Sequence, residues 1–352
     1  MGKTLRNVFI SLCVLTGLII LQNNFQIDIS WNRMKVIECI DCNKFEDKPI
    51  IEPPEVCSRI GGNTSSGLAE LLILIMSSAN DRNSREAIRE TWGGETDQKS
   101  GNFRIVFVIG KMKSTDIVRE ASDQRDILQV NVPDTRKAIT EKVVHSLRWF
   151  VRRCPGVKYV MKTNVDVFIS VPYIVRILRK YDIENTLAGH CNYQSEISDR
   201  SKRYSDLKSS QYPPYCTGSG YVISRRTAVK FVDVFGDTPY IPLDDVYIGF
   251  CAYKTNVDIL DIPRAHVEYD GYDAFQYCQC VGTVRNIDAG RQREIYVKQL
   301  IDCRQRWSRG VEDLHACFVD YKDVLIPVTI MVLSTFLIFL FLILRRRINV
   351  QT

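Results

Sequence analysis

The sequence lacks a dominant charge. Its formal net charge is +6, but Lys3 and Arg6 precede the first apolar run and Arg345, Arg346 and Arg347 follow the last. Without those five cations about +1 remains, which argues against a nucleic-acid partner, since such a surface needs many phosphate-neutralising cations. A second Cys-x-x-Cys at zinc spacing is missing too. Cys39-x-x-Cys42 therefore reads as a local disulfide, and Cys278-x-Cys280 is read the same way. Histidine is scarce, with four in 352 residues. Residues 23–67 lack sustained periodicity and carry Pro49, Pro53, Pro54 and the stretch Gly61 to Gly67, so they read as a stem.

Long apolar runs are present, at both ends. Val324 to Leu344 is 21 residues without a charge, enough at about 1.5 Å per residue to cross a hydrocarbon core of roughly 30 Å. The triple arginine after it reads as a cytosolic anchor. Val8 to Leu21, 14 residues behind Lys3 and Arg6, could be the core of a signal peptide, but no small-x-small cleavage site follows, so it reads as an uncleaved signal anchor. Either way the intervening chain is lumenal. Of 12 cysteines, Cys13 lies in the first run and eleven lie outside both, a number natural to an oxidising compartment. The odd count leaves one cysteine free or bridged to another chain, so a homo- or hetero-oligomer stays open. Asn63-Thr64-Ser65 is an N-glycosylation sequon.

Between the ends, strand and helix patterns alternate. Apolar strands are predicted at 71–78, 103–110, 126–132 and 159–166, with helices near 84–92, 115–124, 139–151 and 171–181, and a later strand at 256–262. Strands apolar on both faces and separated by helices imply an α/β fold with a mostly parallel central sheet. In such sheets the ligand crevice lies beyond the carboxyl ends of the strands. Residues 1–22 are thus a tail and anchor, 23–67 a stem, 68–320 one folded domain, 324–344 a membrane helix and 345–352 a cytosolic tail.

The chemistry-bearing residues sit where that crevice should be. Asp166 ends the fourth strand, where a lone carboxylate invites solvent, a partner or a metal. Arg82, Arg85 and Arg89, at spacings of three and four, could put guanidiniums on one helix face toward a diphosphate. Gly218 and Gly220, in Cys-Thr-Gly-Ser-Gly-Tyr, read as a turn that lets backbone approach a sugar closely. Asp244-Asp245 opens an apolar helix, one carboxylate placed to cap it and the other to face the crevice. His266 follows the last predicted strand and is a candidate metal ligand.

These blocks resemble the lumenal β-1,3-galactosyltransferase and β-1,3-N-acetylglucosaminyltransferase family, glycosyltransferase family 31. The likeness runs from about Leu71 to His266 and is carried by SREAIRETWG (84–93), CPGVKYVMKTNVDVF (154–168), YPPYCTGSGYVIS (212–224) and PLDDVYIG (242–249). The resemblance implies a GT-A-type lumenal domain in the Golgi membrane. It also implies a UDP-sugar donor, Mn²⁺ or another divalent cation, and inverting transfer, most simply of galactose, to a glycan on a glycoprotein or glycolipid in β-1,3 linkage. By position, Asp166 matches the last acid of a three-acid metal motif, with His266 as a second ligand, and Asp245 matches the general base. Asn164, Gly218, Gly220, Arg85 and Arg89 fall to the donor. The sequence departs from the family in having Asn164 and Val165 where the first two acids belong, and Ala138-Ile139-Thr140 for Asn-Leu-Thr. A second reading follows from those departures: a catalytically weakened relative serving as a binding or chaperone subunit.

Overall fold

Six consecutive aliphatic residues, Leu71–Met76, form strand β1, and all six are buried. They can be buried on both sides because β1 lies between two parallel neighbours, β2 (Phe103–Lys111) and β4 (Tyr159–Asn164). Alternate residues then feed alternate faces. Leu71, Ile73 and Ile75 join Phe103, Ile105, Phe107 and Met161 in one core, whereas Leu72, Leu74 and Met76 join Val106, Val108 and Val160 in the other. The computed structural model describes residues 39–45, 48–54, 56–57, 69–94, 103–112, 114–181, 183–193, 195–197, 211–262, 266–272, 277–278, 281–308 and 334.

Helices cover both faces. They are α1 (Arg82–Glu90), α2 (Thr115–Gln124), α3 (Ile139–Arg153), α4 (Val171–Lys180), α5 (Arg225–Val234), α6 (Asp244–Lys254) and α7 (Ala289–Ser308). The remaining strands are β3 (Ile127–Pro133), β5 (Val167–Ile169), β6 (Thr186–Asn192), β7 (Tyr215–Ser224), β8 (Asp258–Asp261), β9 (His266–Glu268) and β10 (Thr283–Arg285). The main sheet runs β3-β2-β1-β4-β7-β6-β8, and a small one runs β5-β10-β9. Four of the six pairings in the main sheet are parallel; β7 is antiparallel to both β4 and β6. The α/β expectation holds. The chain leaves β1 toward β2 on one side and later places β4 on the other, and such a switch point is where α/β sheets open a crevice.

The segment predicted to be a turn around Gly218 and Gly220 is instead the first half of β7. Its register against β6 slips between Gly189↔Tyr221 and Cys191↔Cys216, so the strand bulges at the two glycines. Because β7 is antiparallel to β4, this bulge lies at the edge where β4 ends.

Part of the predicted stem packs on the domain. Ile51 bridges Gln129 of β3, Asn43 N–H donates to Gly236 O at 3.1 Å, and Cys57 is disulfide-bonded to Cys154 at the end of α3. Cys39 pairs with Cys42 as expected, and Cys191 with Cys216 across β6 and β7. Cys278 pairs with Cys303 of α7, which corrects the local reading of Cys278-x-Cys280. Cys251, buried in α6, is the free cysteine among the described residues. Both apolar runs, Ser334 apart, and the Asn63 sequon lie outside those residues, among which no helix is long and apolar enough to cross a membrane.

Candidate active site

Beyond β1 the chain turns through Ser77–Ala79, and side chains take nearly every polar group of that turn. Lys142 Nζ donates to Ser77 O at 3.0 Å; Arg85 donates to Ser77 Oγ, Ser78 O and Ala79 O at 2.9, 2.5 and 3.4 Å. Ala79 N–H donates to Asp134 Oδ2 at 2.7 Å, while Asp134 Oδ1 accepts from Gly110 N–H at 3.0 Å and pairs with Lys142 at 2.5 Å. One carboxylate thereby pins the carboxyl ends of β1, β2 and β3. Burial opposes its charge, but Lys142 and the two amides prevail and hold Asp134 below the usual carboxylate range.

Arg85 and Arg89 are not placed to meet a diphosphate. Arg85 is fully buried, and its five N–H groups are spent on the turn and on Glu120, at 2.8 and 2.7 Å. Arg89 grips Asp126 through two 2.8 Å bonds, lies 2.8 Å from Glu120, and stacks over Phe107. Two cations and two carboxylates cancel in a buried quartet. Burial pulls the Glu120 pKa upward, yet Arg85 and Arg89 win and hold it low. Arg85 therefore braces the turn, and Arg89 is committed to the ion-pair quartet behind it.

Asp166 lies in the two-residue turn between β4 and β5, exposed, with Asn164 half-buried before it. The turn is held from behind. Val165 N–H donates to Met76 O at 3.1 Å, and Ile287 N–H to Asp166 O at 3.0 Å. Gln292 of α7, fully buried, donates to Val165 O (3.1 Å) and Val167 O (3.4 Å) while accepting from Trp92 Nε1 (2.9 Å). Val165, at the position of the lost middle acid, packs against the hydrophobic core. His266 opens β9 opposite Thr283; its side chain lies outside what the structure describes.

The third component sits on α6. Neither Asp244 nor Asp245 caps this helix: Leu243 occupies the cap position, and both acids fall in the first turn. Asp244 Oδ2 pairs with Lys162 Nζ at 2.7 Å, and Lys162 also donates to Gly218 O at 3.0 Å. Asp245 accepts from Gly218 N–H at 3.2 Å and from Val246 N–H at 2.9 Å. Removal from water, then the neighbouring Asp244 charge, push the Asp245 carboxyl up to about 6, against a downward pull from Lys162. The bulge in β7 makes this possible, since it aims the Gly218 N–H at Asp245 and the Gly218 carbonyl at Lys162. The Tyr221 and Thr217 hydroxyls are buried and find no hydrogen-bond partner among the described residues. A carboxylate raised toward neutrality beside the β7 bulge is suited to taking a proton.

A family model described as galactosyltransferase matches residues 83–263, just over half of the chain. The chain belongs to the galactosyltransferase family. Beta-1,3-galactosyltransferase 5 of Mus musculus is 30% identical over 219 residues, which cover 59% of this chain and 71% of that protein. Beta-1,3-galactosyltransferase 2 of Homo sapiens is 30% identical over 239 residues, 64% of this chain and 55% of that one. UDP-GalNAc:beta-1,3-N-acetylgalactosaminyltransferase 1 of Rattus norvegicus is 30% identical over 202 residues, 54% and 61% respectively. This member is a divergent, β-1,3-galactosyltransferase-like glycosyltransferase, and as such draws on a nucleotide-sugar donor.

Within this galactosyltransferase, Asp245 and Gly218 come into direct contact. Gly220 serves packing: a Cβ there would lie 2.7 Å from Thr283 Cγ2 and 2.8 Å from Met161 Cε. Among the described residues no three His, Cys, Asp or Glu side chains cluster to hold a metal. Asp166 is a single exposed carboxylate; alone it could serve only a cation that arrives with diphosphate oxygens, for which one or two carboxylates plus phosphates suffice. Lys162, Asp134, Lys142 and Gln292 escaped the sequence reading. Lys162 had a visible signal: a lysine inside an apolar strand needs a buried anion.

Proposed function

We propose that this galactosyltransferase-family member moves a hexose, galactose in the first instance, from a UDP-sugar to a glycan hydroxyl on a glycoprotein or glycolipid, forming a β-1,3 linkage with inversion. The observation that carries this reading is the Asp245 carboxylate held by the Gly218 N–H at the β7 bulge, where burial pushes it up to about 6. Asp245 takes the proton from the acceptor hydroxyl as that oxygen attacks the anomeric carbon from the face opposite UDP. The carbon–oxygen bond to UDP breaks, and single displacement turns an α-donor into a β-product. The Ser77–Ala79 turn, rigidified by Arg85, Asp134 and Lys142, forms a fixed wall for the nucleotide. Asn164 offers an amide to a ribose hydroxyl or a bound water.

Asp166, with His266 as the sequence-inferred second ligand, would hold Mn²⁺ or another divalent cation, whose charge would neutralise the departing diphosphate. Three disulfides join residues at least 25 positions apart, which supports a lumenal, oxidising location, and we place the enzyme at the Golgi membrane. The chaperone-like alternative draws on Asn164 and on Val165, partly buried against the core. It is not favoured, because the raised carboxylate on α6 has no purpose in it. Full-length protein in detergent, screened with UDP-sugars with and without Mn²⁺, tests the reading. Asp245→Asn should lower turnover about 10²–10⁴-fold while sparing donor binding. Wild-type transfer by Asp245→Asn would refute it.

A further inference from the structure

A lysine in the middle of a central strand is costly to bury, and the Lys162 side chain is 1% exposed, opposite Tyr221 of β7. Its ammonium is used twice, on Asp244 at 2.7 Å and on Gly218 O at 3.0 Å. The site leaves it little room: a Cβ on Gly218 would lie 3.0 Å from Nζ. We infer that Lys162 is a positioning residue for the transfer reaction: by neutralising Asp244 and fixing Gly218, it keeps the adjacent Asp245 ionised and aimed as the base. This rests on the reading of Asp245 given above.

The argument is one of charge. Two carboxylates at successive positions of one helix turn cannot both ionise freely, and a protonated Asp245 could not accept the acceptor's proton. Among the described residues, the charged or titratable groups that face Asp245 are Asp244 beside it on α6, Lys162 from β4 and the Tyr221 hydroxyl from β7. Tyr221 is neutral, its pKa driven well up by burial and then by the two acids. Among the described residues Lys162 is therefore the cation paired with Asp244. It also holds Gly218 O while Gly218 N–H holds Asp245, so the same side chain sets charge and aim.

The test is a charge cycle on the full-length protein in detergent, using transfer from UDP-galactose between pH 4.5 and 8.5. Lys162→Met should move the acidic limb of the kcat/KM profile up by about 1–3 pH units, because Asp244 is then uncompensated. Asp244→Asn should move it down, and the double variant, lacking both charges, should bring it back near wild type. A Lys162→Met limb that coincides with wild type, or a double variant that stays displaced, overturns the inference while leaving Asp245 as base. Should Lys162→Met fail to fold, an Asp244→Asn limb that does not move overturns it equally. If Asp245→Asn transfers at the wild-type rate, the base assignment itself has failed. Thermal melting gives a readout without turnover. With its folded pKa raised, Asp245 contributes stability at low pH that is lost as pH rises through about 6, and Asp245→Asn removes that slope. In Lys162→Met the loss should extend to higher pH; an unchanged slope refutes the inference.

Discussion

Gln292 illustrates how much of the site depends on single side chains far away in sequence. Its amide joins Trp92 of the first helical region to the carbonyls on either side of Asp166. Gln292→Leu keeps the volume but strands a buried indole N–H, so stability should fall by on the order of 1–3 kcal/mol. The donor KM should rise more than kcat falls, since the turn bearing Asp166 loosens while Asp245 is untouched. Denaturant titration and donor saturation curves measure the two effects, and an unchanged KM would remove Gln292 from the donor side. The acidic pair was legible beforehand because two acids at a helix start are a local pattern, but neither is the cap and the choice of Asp245 over Asp244 came from the family likeness. The arginines were misplaced for the converse reason: spacing shows that Arg85 and Arg89 share a face, but not that Glu120 and Asp126 wait opposite. Gln292 lies beyond residues 83–263, where the family likeness ends, and a lone buried amide leaves no local trace.

At the scale of elements, two buried devices fix the crevice edge, and each predicts its own failure. Glu120→Gln on α2 leaves Arg85 and Arg89 short of a counter-charge in a buried quartet. Breaking such a cluster from one side costs about 3–5 kcal/mol, measurable by chemical denaturation with Leu or Met controls elsewhere on α2. In β7, Gly220→Ala should destabilise by about 1–3 kcal/mol through overpacking on Thr283 and Met161, whereas Gly218→Ala should instead displace the pH–rate profile by crowding Lys162. A Gly218→Ala profile identical to wild type would separate the bulge from the base. The alternating strand and helix periods made β1 to β4 and their helices readable to within a few residues. β7 was not, because two glycines in six residues mimic a turn. Only the cross-strand register, a non-local property, shows that they mark a bulge inside a strand.

Across the whole domain, the ionisable groups that hold it together have opposite pH dependence to the one proposed to act. Glu120 and Asp134 keep depressed carboxyl pKa values, Arg85, Arg89 and Lys142 outweighing burial, and Glu52 is lowered chiefly by its hydrogen bond to Arg153. A carboxylate with a lowered folded pKa stabilises the fold above its unfolded value, and that contribution disappears as pH falls through the folded one. Two of them brace one place, Glu120 through Arg85 and Asp134 directly at the turn after β1, while Glu52 joins the N-terminal segment to α3 beside the Cys57–Cys154 bridge. Acid should therefore loosen the sheet edge and the N-terminal segment together. Melting temperature measured from pH 7 to pH 3 should drop steeply below the ordinary carboxylate range, around pH 4, with the Asp245 contribution running weakly the other way near pH 6. Substituting Cys57 and Cys154 by serine removes a cross-link across 97 residues and should lower stability by about 2–5 kcal/mol, moving the acid transition to higher pH without abolishing it. A transition that vanished in Asp134→Asn alone would show that the sheet-edge carboxylate, and not the three together, sets acid sensitivity.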